Sequence, residues 1–276
     1  MLRKRWFGSA LSIPTQCWVC QAWPIFTLIC EQCLAQHAPA QRRCSSCALV
    51  LPDSTTATTT AQCGACLHQA PPLLACWAAV DYAAPWRDLV HRWKLAQNPA
   101  LAKAAAQLIH QQLPQQQWPL PAIAAQFDVL LPIPPAPERL QQRGFHHTLL
   151  LAQALRLGLP IDSSSLLRLP EAAGQHQALR KRQDRLRAMR GAFIVAPEKA
   201  AALQGLRVLL LDDVMTTGAT LHSAAHNLLQ AGAAQVGALV LARTGLGADA
   251  VSKPVTPAFS ADTAHPAPRA DSGHRD

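Results

Sequence analysis

Residues 208–220 read VLLLDDVMTTGAT, and this stretch decides the fold that we predict. Four apolar residues lead into Asp212 and Asp213, and a loop of small residues follows. An unbroken apolar run is typical of a parallel strand that helices cover on both faces. The residues after the loop place apolar side chains at helical spacing, with Gly232 positioned to end the helix. The stretch therefore predicts a strand, a tight loop and a helix, in that order.

The predicted loop at 215–220 has the features of an anion site. It opens onto a helix N-terminus, where free backbone N–H groups and the helix dipole favour a phosphate. Gly218 permits close backbone approach, and Thr216, Thr217 and Thr220 add hydroxyl donors. It is not a Walker loop, because no Gly-Lys-Ser/Thr follows.

The two aspartates are expected at the carboxyl end of the strand, where open α/β sheets bind ligands. A ligand with a phosphate on one side and vicinal hydroxyls on the other is a ribose 5-phosphate. This interpretation requires that the carboxylates face the ligand rather than an internal salt bridge. The alternatives are an acidic pair that holds magnesium and one that only places negative charge at the helix N-terminus.

Three regions differ in composition. Residues 1–74 hold eight of the nine cysteines, and residues 75–245 have the pattern of an α/β domain. Residues 246–276 are rich in Pro, Ala, Asp and His, and we expect a disordered tail. Further strands are predicted at 76–82, 127–134, 191–195 and 235–243, and helices at 85–95, 99–113 and 146–158.

Four Cys-x-x-Cys units lie in the first region, and two such units supply the four thiolates of one tetrahedral zinc ion. Their eight cysteines predict two closed structural zinc sites in a double zinc-ribbon-like module; redox pairs or disulfides are the alternatives. The sequence does not say which unit pairs with which. The cysteines are Cys17, Cys20, Cys30, Cys33, Cys44, Cys47, Cys63 and Cys66. We expect Cys76 to be a buried core thiol.

The charge and the termini restrict the function classes. The chain has 276 residues, half of them apolar, and 25 Lys and Arg against 16 acids give a net charge of +9. This surplus favours anionic partners such as phosphorylated metabolites or nucleic acid. Neither a signal peptide nor an apolar run of about 18 residues is present. We therefore expect no membrane span, and a reducing cytoplasm in which the cysteines bind metal.

Residues 208–220 resemble the phosphoribosyl-pyrophosphate signature of type I phosphoribosyltransferases. The wider pattern resembles the ComF proteins (competence protein F), which join a cysteine-rich zinc module to a phosphoribosyltransferase-like domain. Its pieces are the Cys-x-x-Cys units, Lys94 in HRWKLAQ, residues 129–145, Gln177 and Arg185, and the signature. The resemblance implies a type I phosphoribosyltransferase fold, a mostly parallel sheet flanked by helices, with a small N-terminal zinc module.

The resemblance also implies roles for individual residues. Asp212 and Asp213 would hold the ribose, and Thr216, Thr217, Gly218, Ala219 and Thr220 would hold the 5-phosphate of phosphoribosyl pyrophosphate. The loop that contains Arg139 and Arg143 would face the diphosphate, with Arg143 the better candidate; exposed arginines are the alternative. Lys94 either reaches the sugar-phosphate or is a surface lysine. Stabilising the leaving pyrophosphate is the main catalytic task, and magnesium is its usual helper.

Two departures from the ComF pattern bear on specificity. Family members commonly read Arg-Gly-Phe-Asn-Gln where this chain has His146 and His147 after RGF, and an Asn common before GAF is Ala188 here. Residues 180–190 carry six cations and one acid, Arg185 among them. This segment would close over pyrophosphate, bind nucleic-acid phosphates or simply be solvated.

Two hypotheses of function follow. The first is a phosphoribosyltransferase that acts on an unidentified acceptor. The second, which the resemblance to competence proteins implies, is an accessory factor that binds single-stranded DNA and works with the competence machinery during DNA uptake. The seven tryptophans offer stacking surfaces for bases, although packing in the core or the zinc module is the more ordinary role.

Overall fold

A computed structural model describes residues 14–52, 62–95, 98–169 and 192–245. All of them belong to one compact unit, Met1–Leu246, and a second unit, Gly247–Asp276, lies outside them. The predictions for Arg185, for the basic segment at 180–190 and for the tail therefore fall outside the described residues. Among the helices described, none is both long and apolar enough to cross a membrane.

The elements follow the predicted order closely. The strands are β1 (Cys76–Asp81), β2 (Val129–Pro132), β3 (Leu166–Arg168), β4 (Phe193–Val195), β5 (Arg207–Met215) and β6 (Gln235–Arg243). The helices are α1 (Glu31–His37), α2 (Gly64–His68), α3 (Trp86–Leu95), α4 (Leu101–Gln115), α5 (Leu120–Ala124), α6 (Pro137–Arg143), α7 (His147–Leu155), α8 (Pro197–Leu203) and α9 (Ala219–Gln230). The short helices α1, α2, α5, α6 and α8 and the short strand β3 are additions to the prediction.

A four-stranded parallel sheet in the order β1–β6–β5–β2 forms the centre of the fold. The short strands β3 and β4 pair separately and antiparallel. The prediction that the apolar runs are parallel strands is confirmed. Their lack of alternation has a physical cause, because both faces of the sheet are buried.

Each face of the sheet carries its own core. Leu209 and Leu211 of β5 pack with α3, α4 and α7, whereas Val208 and Leu210 pack with α9 on the opposite face. The predicted apolar stripe of α9 is buried at Leu221, Ala224, Ala225 and Leu228. Leu229 is the exception, because it lies at the edge of the stripe and is 36% exposed.

The cysteine-rich segment contributes to both cores. Cys17 and Cys33 belong to the core that contains α4, and Cys44 and Cys47 belong to the core that contains α9. Side chains of the sheet domain also bond to this segment: Gln107 Oε1 accepts from the Leu28 N–H at 2.8 Å. The segment therefore packs as part of the same unit.

One boundary at the centre of the fold differs from the prediction. The strand was expected to end at Asp212 and Asp213, whereas β5 continues for two more residues, to Met215. The reason is that β6 is long enough to extend the ladder: Asp212 is in register with Val240, and Met215 with Arg243. The aspartates thus lie on a rigid element, seven and six residues before Ala219, the first residue of α9.

Candidate functional site

The two aspartates of β5 are nearly inaccessible to solvent, at 9% exposure for Asp212 and 3% for Asp213. Asp213 Oδ2 lies 2.5 Å from Lys94 Nζ and 3.0 Å from His147 Nε2. Lys94 comes from the last turn of α3, and His147 is the first residue of α7. Two helices on one face of the sheet therefore meet at one carboxylate.

The two carboxyl groups have different electrostatic environments. Burial, and then the charge of Asp213, raises the pKa of Asp212 well above its usual range. Burial would raise the pKa of Asp213 too, but the Lys94 charge and the His147 hydrogen bond outweigh it and lower that pKa. Asp213 is therefore the anion of the pair. Asp212 Oδ1 accepts a hydrogen bond from the Asp213 N–H at 2.8 Å.

His147 is the site residue that the sequence did not single out. Its Nδ1 lies 3.5 Å from Arg143 Nη1, and Trp93 packs edge-on against its ring at 5.6 Å between centroids. Arg143 ends α6, and Gly144 reverses the chain there with φ +77°. The only sequence signal was the position of His147 in RGFHH, where the family commonly has Gln.

The loop between β5 and α9 depends on one glycine. Gly218 has φ +82° and is the N-cap residue of α9. A Cβ there would lie 2.6 Å from Met215 Cε and 2.9 Å from His222 Nε2. The Ala219 N–H donates to Thr217 Oγ1 at 3.3 Å. Only glycine fits this turn without strain, and α9 begins at the next residue, so the N-terminus of the helix follows the loop directly.

The structure brings most of the predicted site residues together. Asp212, Asp213 and Lys94 are in one cluster with His147, and Arg143 reaches that cluster through His147. Residues 216–220 follow directly from β5. Arg139 is exposed on α6. Contrary to the expectation that the carboxylates avoid an internal salt bridge, Asp213 is paired with Lys94, so a ligand at Asp213 has to displace or share this contact.

The eight predicted zinc ligands form two groups of four, and in each the sulfur atoms lie within 4.8 Å of one another. Cys17, Cys20, Cys30 and Cys33 make the first group; Cys44, Cys47, Cys63 and Cys66 make the second. Neighbouring units in the sequence thus pair, which spacing alone did not decide. Cys76 lies outside both groups, buried as predicted.

Both groups fit a tetrahedral zinc ion. All the cysteines are free thiols. Sulfur atoms bound to one zinc at about 2.3 Å are roughly 3.8 Å apart, and the distances here are 3.9 Å for Cys17–Cys33 and 3.7 Å for Cys47–Cys63. A hydrogen bond from Cys47, followed by backbone N–H groups, lowers the pKa of Cys44 to about 4. The thiolate that results is the metal-binding form.

Comparison with known proteins identifies the family. The chain is 31% identical over 249 residues to the DNA utilization protein YhgH of Salmonella typhi, a match that covers 85% of this chain and 99% of that protein. It is 29% identical, also over 249 residues, to the Escherichia coli K12 protein of that name. The competence protein ComFC of Bacillus subtilis is 37% identical over 117 residues, 42% of this chain and 45% of that protein.

The chain belongs to the ComF family. The phosphoribosyl transferase domain family matches residues 156–272. Together with the parallel sheet flanked by helices, this match shows the type I phosphoribosyltransferase fold that the sequence predicted. Glutamine phosphoribosylpyrophosphate amidotransferase from B. subtilis is 17% identical and covers 54% of this chain and 30% of its own, at a TM-score of 0.31, which is too low to support an argument.

Proposed function

We propose that this ComF protein binds phosphoribosyl pyrophosphate, or a related ribose phosphate, with magnesium in the cytoplasm, and transfers the phosphoribosyl group to an acceptor. The observation that supports this most directly is the position of Asp212 and Asp213. They are buried carboxyl groups in a parallel strand, immediately before a loop that Gly218 shapes at a helix N-terminus. Open α/β sheets bind their ligands at this edge.

In this proposal the two ends of the ligand have separate sites. Thr216, Thr217, Gly218, Ala219 and Thr220 hold the 5-phosphate through backbone N–H groups and hydroxyls. The ribose hydroxyls donate hydrogen bonds to Asp212 and Asp213. The raised pKa of Asp212 suits a group that faces an uncharged hydroxyl rather than a cation.

Lys94 has two successive roles in this proposal, one before the ligand binds and one after. In the free protein its ammonium neutralises Asp213 at 2.5 Å. When ribose hydroxyls replace it there, the lysine is released toward the diphosphate oxygens of the ligand. Its side chain is 24% exposed, so it has room to turn, whereas that of Asp213 is only 5% exposed.

The transfer breaks the bond between ribose C1 and a pyrophosphate oxygen and forms a bond from C1 to the acceptor, which gives up a proton. Arg143 stabilises the charge that develops on the pyrophosphate, from its place beside His147. Asp213 stabilises the positive charge that develops on the ribose. Magnesium, when bound with the diphosphate, neutralises phosphate charge.

Calorimetric titration tests this proposal. Phosphoribosyl pyrophosphate with magnesium is titrated into the wild type and into Asp212→Asn/Asp213→Asn. Binding to the wild type that is at least tenfold weaker in the double variant supports the proposal. Asp128→Asn is the matched control, because Asp128 is a carboxylate of the same domain that pairs with Arg207 at 2.6 Å, away from the site. Equal binding by all three proteins contradicts the proposed site.

A second candidate function is binding of single-stranded DNA. One relative is named a DNA utilization protein and another a competence protein. The observation that favours it is a pair of exposed aromatic side chains between Cys20 and Cys30. Trp23 is 64% exposed and Phe26 is 66% exposed. Exposed rings stack on bases without sequence preference.

A salt series with oligothymidylate tests this candidate. Trp23→Ala/Phe26→Ala is expected to weaken binding at each salt concentration, and Leu67→Ala, an equally exposed apolar side chain at 70% exposure, is expected to leave it unchanged. Equal affinities for the wild type and the aromatic variant would remove this surface from the interpretation.

A further inference from the structure

Arg243, the last residue of β6, joins three distant segments of the chain. Its Nε donates to the Cys47 carbonyl at 2.8 Å, in the second cysteine group. Its Nη1 donates to the Met215 carbonyl at 3.1 Å, to the Thr216 carbonyl, and to the Thr244 carbonyl at 2.6 Å. The residue is only 8% exposed. One buried guanidinium therefore holds the start of the loop between β5 and α9 against the second cysteine group.

The charge of Arg243 is unusual for a buried group. Its hydrogen-bond partners among the described residues are all neutral carbonyls, whereas buried cations ordinarily pair with carboxylates. Asp81, which is in register with Arg243 across β1 and β6, binds Arg43 instead, at 2.9 Å. The positive charge of Arg243 therefore has no carboxylate partner among the described residues, and its carbonyl contacts place it beside Thr216 and beside the second cysteine group.

We infer that Arg243 is a positioning residue: it fixes the phosphate-binding loop and couples it to the metal-binding state of the second cysteine group. The inference rests on the proposed function for the loop's ligand. The Met215 and Thr216 carbonyls point to Arg243, so the backbone just before Gly218 has one orientation. Metal at the second group fixes the Cys47 backbone, which fixes Arg243 in turn. The first group, in the other core, lacks this connection in the described residues.

Arg243→Lys tests the positioning role, because lysine keeps the charge but cannot donate in two directions with a planar fork. Arg207→Lys is the matched control, because Arg207 is the first residue of the neighbouring strand β5 and lies at the opposite edge of the sheet. Hydrogen exchange is measured on the full zinc-loaded chain. We expect the amides of residues 216–220 to exchange about tenfold faster in Arg243→Lys, as the loss of one or two hydrogen bonds predicts, and to be unchanged in Arg207→Lys.

Titration with ribose 5-phosphate separates this inference from the proposed function. We expect about tenfold weaker binding in Arg243→Lys, by the same loss of hydrogen bonds. A wild type that does not bind ribose 5-phosphate contradicts the proposed function, and exchange at 216–220 still decides the role of Arg243. Unchanged exchange at 216–220 overturns the inference, because it shows that the Arg243 hydrogen bonds do not stabilise these residues. An equal increase of exchange in α4 overturns it too, because it shows that the substitution destabilises the whole fold.

The coupling to metal has its own test, which leaves Arg243 in place. Cys66→Ser removes a ligand from the second group, and Cys20→Ser removes one from the first. Exchange at 216–220 is expected to increase in Cys66→Ser and to match the wild type in Cys20→Ser, with zinc content measured for both. Equal loop exchange in the two variants overturns the coupling.

Discussion

Lys94 Nζ lies 2.5 Å from Asp213 Oδ2, so a helix on one face of the sheet neutralises the carboxylate at the centre of the proposed site. The contact is largely buried, with side-chain exposures of 24% and 5%. Removing one partner of a buried ion pair leaves the other charge buried and unpaired. This loss destabilises the fold by far more than the intact pair stabilises it.

The first prediction is a strong coupling between these two residues. Lys94→Met is expected to lower the free energy of unfolding by on the order of 3 kcal/mol, and Lys94→Met/Asp213→Asn is expected to recover most of that loss. Urea denaturation of the wild type, Lys94→Met, Asp213→Asn and the double variant gives the coupling energy. The exposed pair Arg207 and Asp128 is the control and should couple much more weakly. Additive effects of the Lys94 and Asp213 substitutions would show that the contact is not important.

The second prediction concerns Gly218. In Gly218→Ala the alanine has to adopt a left-handed backbone conformation, which costs about 1–2 kcal/mol of stability. Its Cβ also lies within 3 Å of Met215 and His222 side-chain atoms. Gly205→Ala is the matched control, since Gly205 has φ +72° and no atom within 4 Å of its Cβ position. Thermal unfolding should show a larger loss for Gly218→Ala, and only this variant should lose ribose 5-phosphate binding. Equal losses of stability would mean that the steric contacts relax freely.

The third prediction is the metal content. The full chain purified with zinc should contain two zinc ions, and Cys44→Ser should contain one and be less stable, because structural zinc contributes directly to folding. Cys76→Ala should keep both ions, since Cys76 is a buried cysteine outside both groups. Elemental analysis measures the ratio. A chain with no zinc and oxidised cysteine pairs would contradict the assignment.

The fourth prediction is a dependence of stability on pH. His146 is the N-cap residue of α7, and its Nδ1 accepts the Leu149 N–H at 3.1 Å, which requires a neutral ring at that nitrogen. Burial, and then the charge of His147, lowers the pKa of His146 to about 4. The unfolded chain binds this proton near pH 6.5, so stability should fall as the pH decreases from about 6.5 to 4.

His146→Asn tests this dependence, because asparagine is a good N-cap residue that does not titrate. It is also the residue that the family commonly has at this position. The variant should lose stability less steeply between pH 6.5 and 5 in urea denaturation, and His226→Asn, an exposed histidine of α9, should behave as the wild type does. An unchanged slope in His146→Asn would show that this histidine does not control the acid response.

Sequence reasoning succeeded where the signal is local. The apolar run before Asp212 predicted a buried parallel strand, and the Cys-x-x-Cys spacing predicted two metal-binding groups. It failed where the decisive partner is distant in sequence. β5 extends beyond the aspartates to Met215 because β6 supplies the ladder, and no spacing rule links Arg243 to Cys47, 196 residues away.

His147 illustrates the same limit. His147 departs from the family pattern, but its partner Asp213 can be identified only once α7 is packed against β5. Lys94 was open between a ligand contact and a surface position for the same reason. The packing of α3 and α7 on one face of the sheet places both side chains against Asp213, and packing of separate helices is the information that a single sequence encodes least directly.

A crystal structure of the full chain grown with phosphoribosyl pyrophosphate and magnesium is the most direct test of the proposed ligand site. The account predicts density for the 5-phosphate against the backbone of residues 216–220, ribose hydroxyls on Asp212 and Asp213, and Lys94 turned away from Asp213. A ligand bound elsewhere, with the Lys94–Asp213 contact intact, would contradict it.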